Sequence, residues 1–432
     1  MDQFIIQGGR RLRGTVQISG SKNSALPLMA ACLLAEGPCV LEGVPTLTDI
    51  DFMGTLLQEL GCKYQRDGED LAIEVADEKN CHARYDVVRK MRASVCVMGP
   101  LLAKRGQATI SMPGGCSIGA RPIDIHLRGM AALGAETTLH EGNIVFKPVR
   151  LKGAEIFLGG PFGSTVTGTA NVMMAATLAE GPSVIECAAC EPEVQDLADF
   201  LNAMGARVSG AGTPRITIQG VKKLTGCRYR VIPDRIEAGT FMVAAAITNG
   251  ELSLSRVRLD HMLAVVDRLR QIGVIVEKKD GGAVVSSNRR LSAADVTTQP
   301  YPGFPTDLQA QLMALLCLAD GNSVITEKIY PDRFLHVAEL GRMGANIRKE
   351  GPTVIVNGVA RLVGAPVMAS DLRASAALVL AGLMAEGKTT ISRVYHIDRG
   401  YEKIEEKLNA VGAAITRAKQ FTEAAADAGG AE

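Results

Sequence analysis

The sequence has no tryptophan and an aromatic share of only 4%, so its cores must be aliphatic. It has almost no net charge: 47 Lys and Arg against 46 Asp and Glu leave +1. That removes the electrostatic footprint expected of a nucleic-acid binder, and arginines that matter here must act locally. No stretch reaches about 18 uninterrupted apolar residues, so no membrane span is expected. The start, Met1-Asp2-Gln3-Phe4, lacks the basic-then-apolar pattern of a secretory signal. Ten cysteines without such a signal read as reduced thiols in a cytoplasmic protein. Cys187-Ala188-Ala189-Cys190 has C-x-x-C spacing, but no second pair answers it and it follows the apolar run Ser183-Val184-Ile185. Buried or strand-end thiols are therefore expected there rather than zinc or redox chemistry.

A chain of 432 residues is too long for one ordinary core, and 47% hydrophobic with 22% charged residues is globular composition. Self-similarity supplies the architecture. An alanine- and leucine-rich helix, a glycine and a β-branched run recur with glycines at 37, 106, 181, 250, 321 and 387, at intervals of 69, 75, 69, 71 and 66. A second helix–glycine–strand marker recurs at Gly61, Gly134, Gly205, Gly273, Gly344 and Gly412, at intervals of 73, 71, 68, 71 and 68. Glycine at both markers fits a left-handed helix cap. Each unit reads as strand, helix, strand, helix, strand. The helices before Gly37, Gly181 and Gly387 are apolar nearly all round and should be buried. The expected fold is α/β, a two-lobed inside-out barrel of six βαβαβ-type repeats with helices inside and sheets outside. A six-unit solenoid with no enzymatic role fits the repeats alone equally well.

The conspicuous polar groups lie just before the buried helices. Lys22 and Asn23 precede the first, where helix-terminal N–H groups favour anions; the P-loop spacing is missing, so a solvated lysine in a turn also fits. Arg92 precedes the second. Asp307, in Phe304-Pro305-Thr306-Asp307, can be a helix N-cap or a general base at a cleft. Asp371 and Arg373 precede the sixth, and a plain surface pair is the alternative there. Arg333 and Arg399 follow Tyr330-Pro331-Asp332 and Tyr395-His396-Ile397-Asp398. Guanidinium groups read carboxylates and phosphates bidentately. The constellation predicts a small, highly anionic ligand between two lobes, with a larger second ligand. Between Met112 and Pro122 runs Pro113-Gly114-Gly115-Cys116-Ser117-Ile118-Gly119-Ala120-Arg121, a shaped loop with a thiol near a guanidinium, the setting that favours a thiolate.

These motifs, together with Ser19-Gly20-Ser21-Lys22-Asn23-Ser24-Ala25-Leu26-Pro27, Asp371-Leu372-Arg373-Ala374-Ser375 and His396-Ile397-Asp398-Arg399-Gly400-Tyr401, occur in one order. Over residues 1 to 416 the chain resembles the enolpyruvyl transferases of peptidoglycan synthesis. The resemblance implies a first lobe of 1–20 plus 232–416, a second lobe of 21–231 carrying the Cys116 loop, and a disordered tail at 417–432. It implies transfer of the enolpyruvyl unit of phosphoenolpyruvate to the 3-hydroxyl of UDP-N-acetylglucosamine, with no metal or organic cofactor. Lys22, Arg121 and Arg399 then hold the phosphate, Arg333 and Arg373 lie near the carboxylate, and Asn23 positions donor and hydroxyl. Cys116 is the general acid and can form a covalent adduct, while Asp307 takes the sugar proton. Arg92, Arg121, Pro122, Ile123, Asp124, Ile125, Asp307 and Ile329 contact the UDP-sugar. The Cys116 loop closes as a lid. One turn departs from the family pattern: Gly160-Pro161-Phe162-Gly163-Ser164-Thr165-Val166-Thr167, where Pro161 has no N–H to offer a diphosphate.

Overall fold

The computed structural model describes residues 2–112, 123–288 and 290–419. Six four-stranded sheets carry these residues. In one of them Glu155–Phe157 lies parallel to Pro182–Glu186, which pairs antiparallel with Arg215–Gln219, and Arg207–Ser209 forms the edge. The helix Val166–Ala176 links the first two strands and Pro192–Ala203 follows the second. Five of the six units thus end in a two-strand hairpin where the sequence pattern suggested a single strand, and in the sixth the closing strand pairs with Asp2–Gln7 instead. The turn chemistry explains it: Asp280-Gly281, with Gly281 at φ 68°, folds Ile275–Lys279 back onto Gly282–Ser286.

All six glycines of the second marker take positive φ just past a helix. The first marker is looser. Gly106 caps Met98–Arg105 directly, whereas in the fourth copy Asn249, at φ 47°, takes the left-handed position instead of Gly250.

Three sheets borrow a strand from far along the chain. Arg13–Gln17 pairs with Glu251–Ser255, Arg228–Arg230 with Cys39–Glu42, and Asp2–Gln7 lies between Lys388–Ser392 and Ile415–Lys419. The last strand corrects the expected end of the fold. It runs past Thr416 to Lys419, because the Arg417 guanidinium bonds Asp2, Asp398 and Glu405 and lies 5.6 Å from the Phe4 ring. Residues 420–432 of the expected tail lie outside the described residues.

The helices that are apolar all round, Lys22–Ala31, Val166–Ala176, Arg235–Ile247 and Leu372–Met384, are buried along nearly their whole length. Helices with one charged face, such as Leu263–Gln271, bury only Val265, Val266 and Leu269. Two aliphatic cores result. One is drawn from Ala25 to Val231, the other from Phe4 to Ile18 together with Ile236 to Ile415. Cys187 and Cys190 are half-buried thiols just past the strand Pro182–Glu186, and all nine described cysteines are free. Among the described residues no helix is long and apolar enough to cross a membrane.

The chain passes between the cores in two adjacent segments. Ser21 N–H donates to Ile232 O at 2.7 Å and Asp234 N–H to Ser19 O at 2.9 Å. Asp196 braces this crossing: its carboxylate accepts from the Tyr229 hydroxyl at 2.7 Å, from the Ser24 hydroxyl, and from Ile232 N–H at 3.5 Å. Burial outweighs these donors and pushes its pKa up to about 6. An unfolded aspartate loses its proton near pH 4, while the folded one keeps it to about 6. Stability from this group is therefore greatest below pH 4 and falls as pH rises through that window, by about 1.4 kcal/mol per unit. Asp196→Asn does not titrate. Its unfolding free energy relative to wild type should rise by about 2–3 kcal/mol between pH 4 and 6. Urea melts showing a constant difference across that range would exclude this.

Candidate active site

The helix Lys22–Ala31 starts with Ser21 as its N-cap, the side chain accepting from Ser24 N–H at 3.3 Å. Lys22 therefore sits at the positive end of a buried helix, only 7% exposed. A cation there needs a counter-charge. Asp49 supplies it from the first turn of Thr48–Glu59, with Lys22 Nζ 3.1 Å from one carboxylate oxygen. Its other oxygen accepts from Arg399 Nε at 2.8 Å. Burial alone would raise the Asp49 pKa; Lys22 and Arg399 overcome that and hold it below the ordinary value. Lys22 and Asp49 belong to one core region, whereas Arg399 ends the turn Val394–Arg399 of the other. One carboxylate thus ties the two lobes together. Asn23 lies half-buried beside Lys22.

The second cluster centres on Asp307. Of the two uses open to it, the cap is not taken: the helix Gln309–Leu316 follows Leu308 with no side-chain cap. Instead Asp307 Oδ1 accepts from Arg333 Nη1 at 2.8 Å, and Oδ2 accepts from Arg373 Nη2 at 3.2 Å and Nε at 3.3 Å. The Asp371–Arg373 surface pair is not formed. Asp371 caps Leu372–Met384 by accepting from the backbone N–H groups of Arg373 and Ala374, which leaves the Arg373 guanidinium free to turn inward. Arg373 is 1% exposed and lies 5.2 Å from the Tyr401 ring centroid. Among the described residues its Nη1 has no hydrogen-bond partner. Burial would raise the Asp307 pKa, but Arg373, Arg333 and Lys22 together hold it far below the usual carboxylate range. Lys22 acts on Asp307 across the cleft, so the two clusters face one another. A carboxylate held this way is a weak base until negative charge reaches its arginines.

The remaining predicted residues surround this pair of clusters less directly. Arg92 opens the short helix Arg92–Val97 and is half-buried. Ile123 is buried, Asp124 is exposed at the start of Asp124–Ala132, and Ile125 is half-buried. Ile125 packs on the Gly160 backbone so closely that a Cβ there would lie 2.6 Å from its Cδ1. Gly160 and Gly163 bridge each other, putting Pro161 and Phe162 at the tip of a tight turn, and Thr165 caps the next helix. His126 joins these two elements, with Nδ1 3.0 Å from Asn171 Nδ2 and Nε2 3.2 Å from Thr167 Oγ1. Ile329 is half-buried beyond the strand Asn322–Thr326. Cys116, Arg121 and Pro122 lie outside the described residues. Sequence reasoning missed Asp49, because an acid in the first turn of a helix is an ordinary helix-dipole choice.

Comparison with known proteins places the chain in a family. The family profile of EPSP synthase (3-phosphoshikimate 1-carboxyvinyltransferase) matches residues 6–408. The UDP-N-acetylglucosamine 1-carboxyvinyltransferase of Methylacidiphilum infernorum is 54% identical over 419 residues, covering 96% of this chain and 99% of that protein. That of Geobacter metallireducens is 52% identical over 420 residues, covering 97% and 100%. Among solved structures, the enolpyruvyl transferase NikO from Streptomyces tendae superposes with a TM-score of 0.87 at 25% identity, over 96% of this chain and 98% of that one. EPSP synthase from Acinetobacter baumannii shares the fold, with a TM-score of 0.75 at 20% identity over 97% and 100%. The fold is the two-lobed inside-out α/β architecture of these enzymes. With full-length identity, motif order and fold in agreement, the chain belongs to the UDP-N-acetylglucosamine 1-carboxyvinyltransferase family of enolpyruvyl transferases.

Proposed function

We propose that this chain transfers the enolpyruvyl group of phosphoenolpyruvate to the 3-hydroxyl of UDP-N-acetylglucosamine, releasing phosphate, the first committed step of peptidoglycan precursor synthesis. The observation that carries the reading is a pair of facing clusters in which four cations share two carboxylates, with the Arg373 Nη1 donor buried and, among the described residues, unpartnered. Such a site favours a small ligand carrying both a carboxylate and a phosphate. Lys22 and Arg399, with Arg121, take the phosphate; Arg373 and Arg333 take the carboxylate. Asn23 orients donor and hydroxyl, and Arg92, Arg121 to Ile125 and Ile329 hold the UDP-sugar. We also propose that residues 1–20 with 232–416 move as one body against 21–231.

The chemistry is addition followed by elimination. The sugar oxygen bonds to C2 of the donor as Asp307 takes its proton, and Cys116 delivers a proton to the donor methylene. The tetrahedral phospho-ketal then loses a methyl proton and expels phosphate, restoring the double bond. The leaving group is built into the donor, and the reading needs no metal or organic cofactor. The depressed Asp307 pKa adds an order to these events. The donor carboxylate must first engage Arg373 and Arg333, because only then does Asp307 become basic enough to accept the sugar proton.

Phosphate release from phosphoenolpyruvate should require UDP-N-acetylglucosamine and should fall at least about a hundredfold in Asp307→Ala and Cys116→Ala. Release driven by shikimate 3-phosphate instead would transfer the reading to the sister enzyme. An epoxide phosphonate such as fosfomycin should add to Cys116, seen as one adduct in intact-mass spectra; Cys116→Asp should keep turnover and lose the adduct. Asp49→Asn leaves Lys22 and Arg399 without their shared counter-charge and should cost roughly 3 kcal/mol in stability. Inorganic phosphate should restore more of the melting temperature in this variant than in wild type; equal gains would argue against a phosphate site at these cations.

A further inference from the structure

Glu327 is a completely buried carboxylate with no part in the chemistry above. Its Oε1 accepts from the Thr298 hydroxyl at 2.7 Å and from the backbone N–H groups of Ile329 at 2.8 Å and Tyr330 at 3.0 Å. Its Oε2 accepts from the Thr306 hydroxyl at 3.0 Å. Thr298 Oγ1 in turn accepts from Lys328 N–H at 2.9 Å. One carboxylate therefore fastens the segment before Asp307 to the segment that leads into Arg333.

The Thr306 hydroxyl is where this scaffold meets the reacting groups. A hydroxyl has one proton to give. Glu327 accepts from it, and so the hydroxyl hydrogen is fixed toward Glu327 Oε2. The oxygen lone pairs then face Arg333, whose Nη1 donates to Thr306 Oγ1 at 3.0 Å and to Asp307 Oδ1 at 2.8 Å. Arg333 is thus held at a fixed distance from Asp307 by two acceptors. One is the carboxylate it tunes; the other is a neutral oxygen aimed by a buried charge.

We propose that Glu327 and Thr306 are positioning residues for the transfer reaction, forming a relay that sets Arg333 against Asp307 and so sets the basicity of Asp307. The assignment rests on the reading of Asp307 as the base. Thr306→Val removes the hydroxyl at nearly constant volume, and Thr306→Ser restores it. Glu327→Gln places an amide donor where Thr306 needs an acceptor and disturbs the relay from the other side.

Two measurements separate the relay from the reading it rests on. The first is the titration of the Asp307 carboxyl, followed by carbon-13 NMR in protein labelled at aspartate carboxyl carbons and assigned with Asp307→Asn. With Arg333 less firmly held, the Asp307 titration should move to higher pH in Thr306→Val and return in Thr306→Ser. The second is phosphate release. For Thr306→Val kcat/KM for phosphoenolpyruvate should fall roughly tenfold to a hundredfold, the KM for the UDP-sugar should stay within about threefold of wild type, and the acid limb of the pH profile should rise. Thr306→Ser should recover most of the loss. Identical Asp307 titrations in wild type and Thr306→Val, or equal losses in both variants, overturn the relay. A wild type without turnover that shows the titration shift keeps the relay and removes the assigned chemistry.

Discussion

Three cations, Lys22, Arg333 and Arg373, are each 7% exposed or less, and the rest of the site is arranged around making that tolerable. An isolated charge taken out of water is heavily penalised, so each must have a partner. Asp49 and Asp307 meet that need, but each serves two cations and leaves the site hungry for more negative charge. Helix direction adds to this. Lys22 and Arg373 both lie in the first turn of a buried helix, where the macrodipole is positive and a cation is least welcome. Cations placed against that field are poorly neutralised, and an anionic ligand relieves both strains at once.

The inside-out arrangement explains why these helix starts meet. A helix that is apolar on every side can be stable only when surrounded by protein, so the sheets take the outside. The start of Lys22–Ala31 and the starts of Gln309–Leu316 and Leu372–Met384 belong to different cores, and their polar residues meet across the cleft. Two chain segments cross between the cores beside Asp196, and the Asp49–Arg399 pair closes the arrangement on the side of the site. The two lobes are therefore joined by backbone at one place and by charge at another.

Much of this was legible in the sequence, because period and punctuation are local properties. Glycines spaced near seventy residues marked the units, and all-apolar helices marked the interior. Lys22, Asp307, Arg333, Arg373 and Arg399 stood out as polar residues next to apolar helices or as arginines just past strands. What escaped notice depends on long-range partnership. The hairpins ending five of the units read as a strand and a turn, and the borrowed strands need partners far away in sequence, as Arg13–Gln17 does in Glu251–Ser255 and Cys39–Glu42 in Arg228–Arg230. Asp49 and Glu327 resemble a routine helix-start acid and a routine residue past a strand, and what sets them apart is partners brought in from elsewhere in the sequence, Lys22 and Arg399 for Asp49, Thr298 and Thr306 for Glu327. That Asp307 pairs with Arg333 and Arg373 instead of capping a helix was likewise hidden, because no local pattern around Asp307 contains those arginines.

The placement of Asp2–Gln7 has a consequence for how the chain is made. This strand is made well before both of its neighbours, Lys388–Ser392 and Ile415–Lys419, which lie far along the chain. The core drawn from Ala25 to Val231 can assemble while synthesis continues, since its strands are complete by Arg230. The other core must wait with an unpaired strand at its front until translation has reached Lys419. One core can therefore form while the chain is still being made, whereas the other is completed only after Lys419, with its first-made strand open to chaperones or to neighbouring nascent chains in the interval.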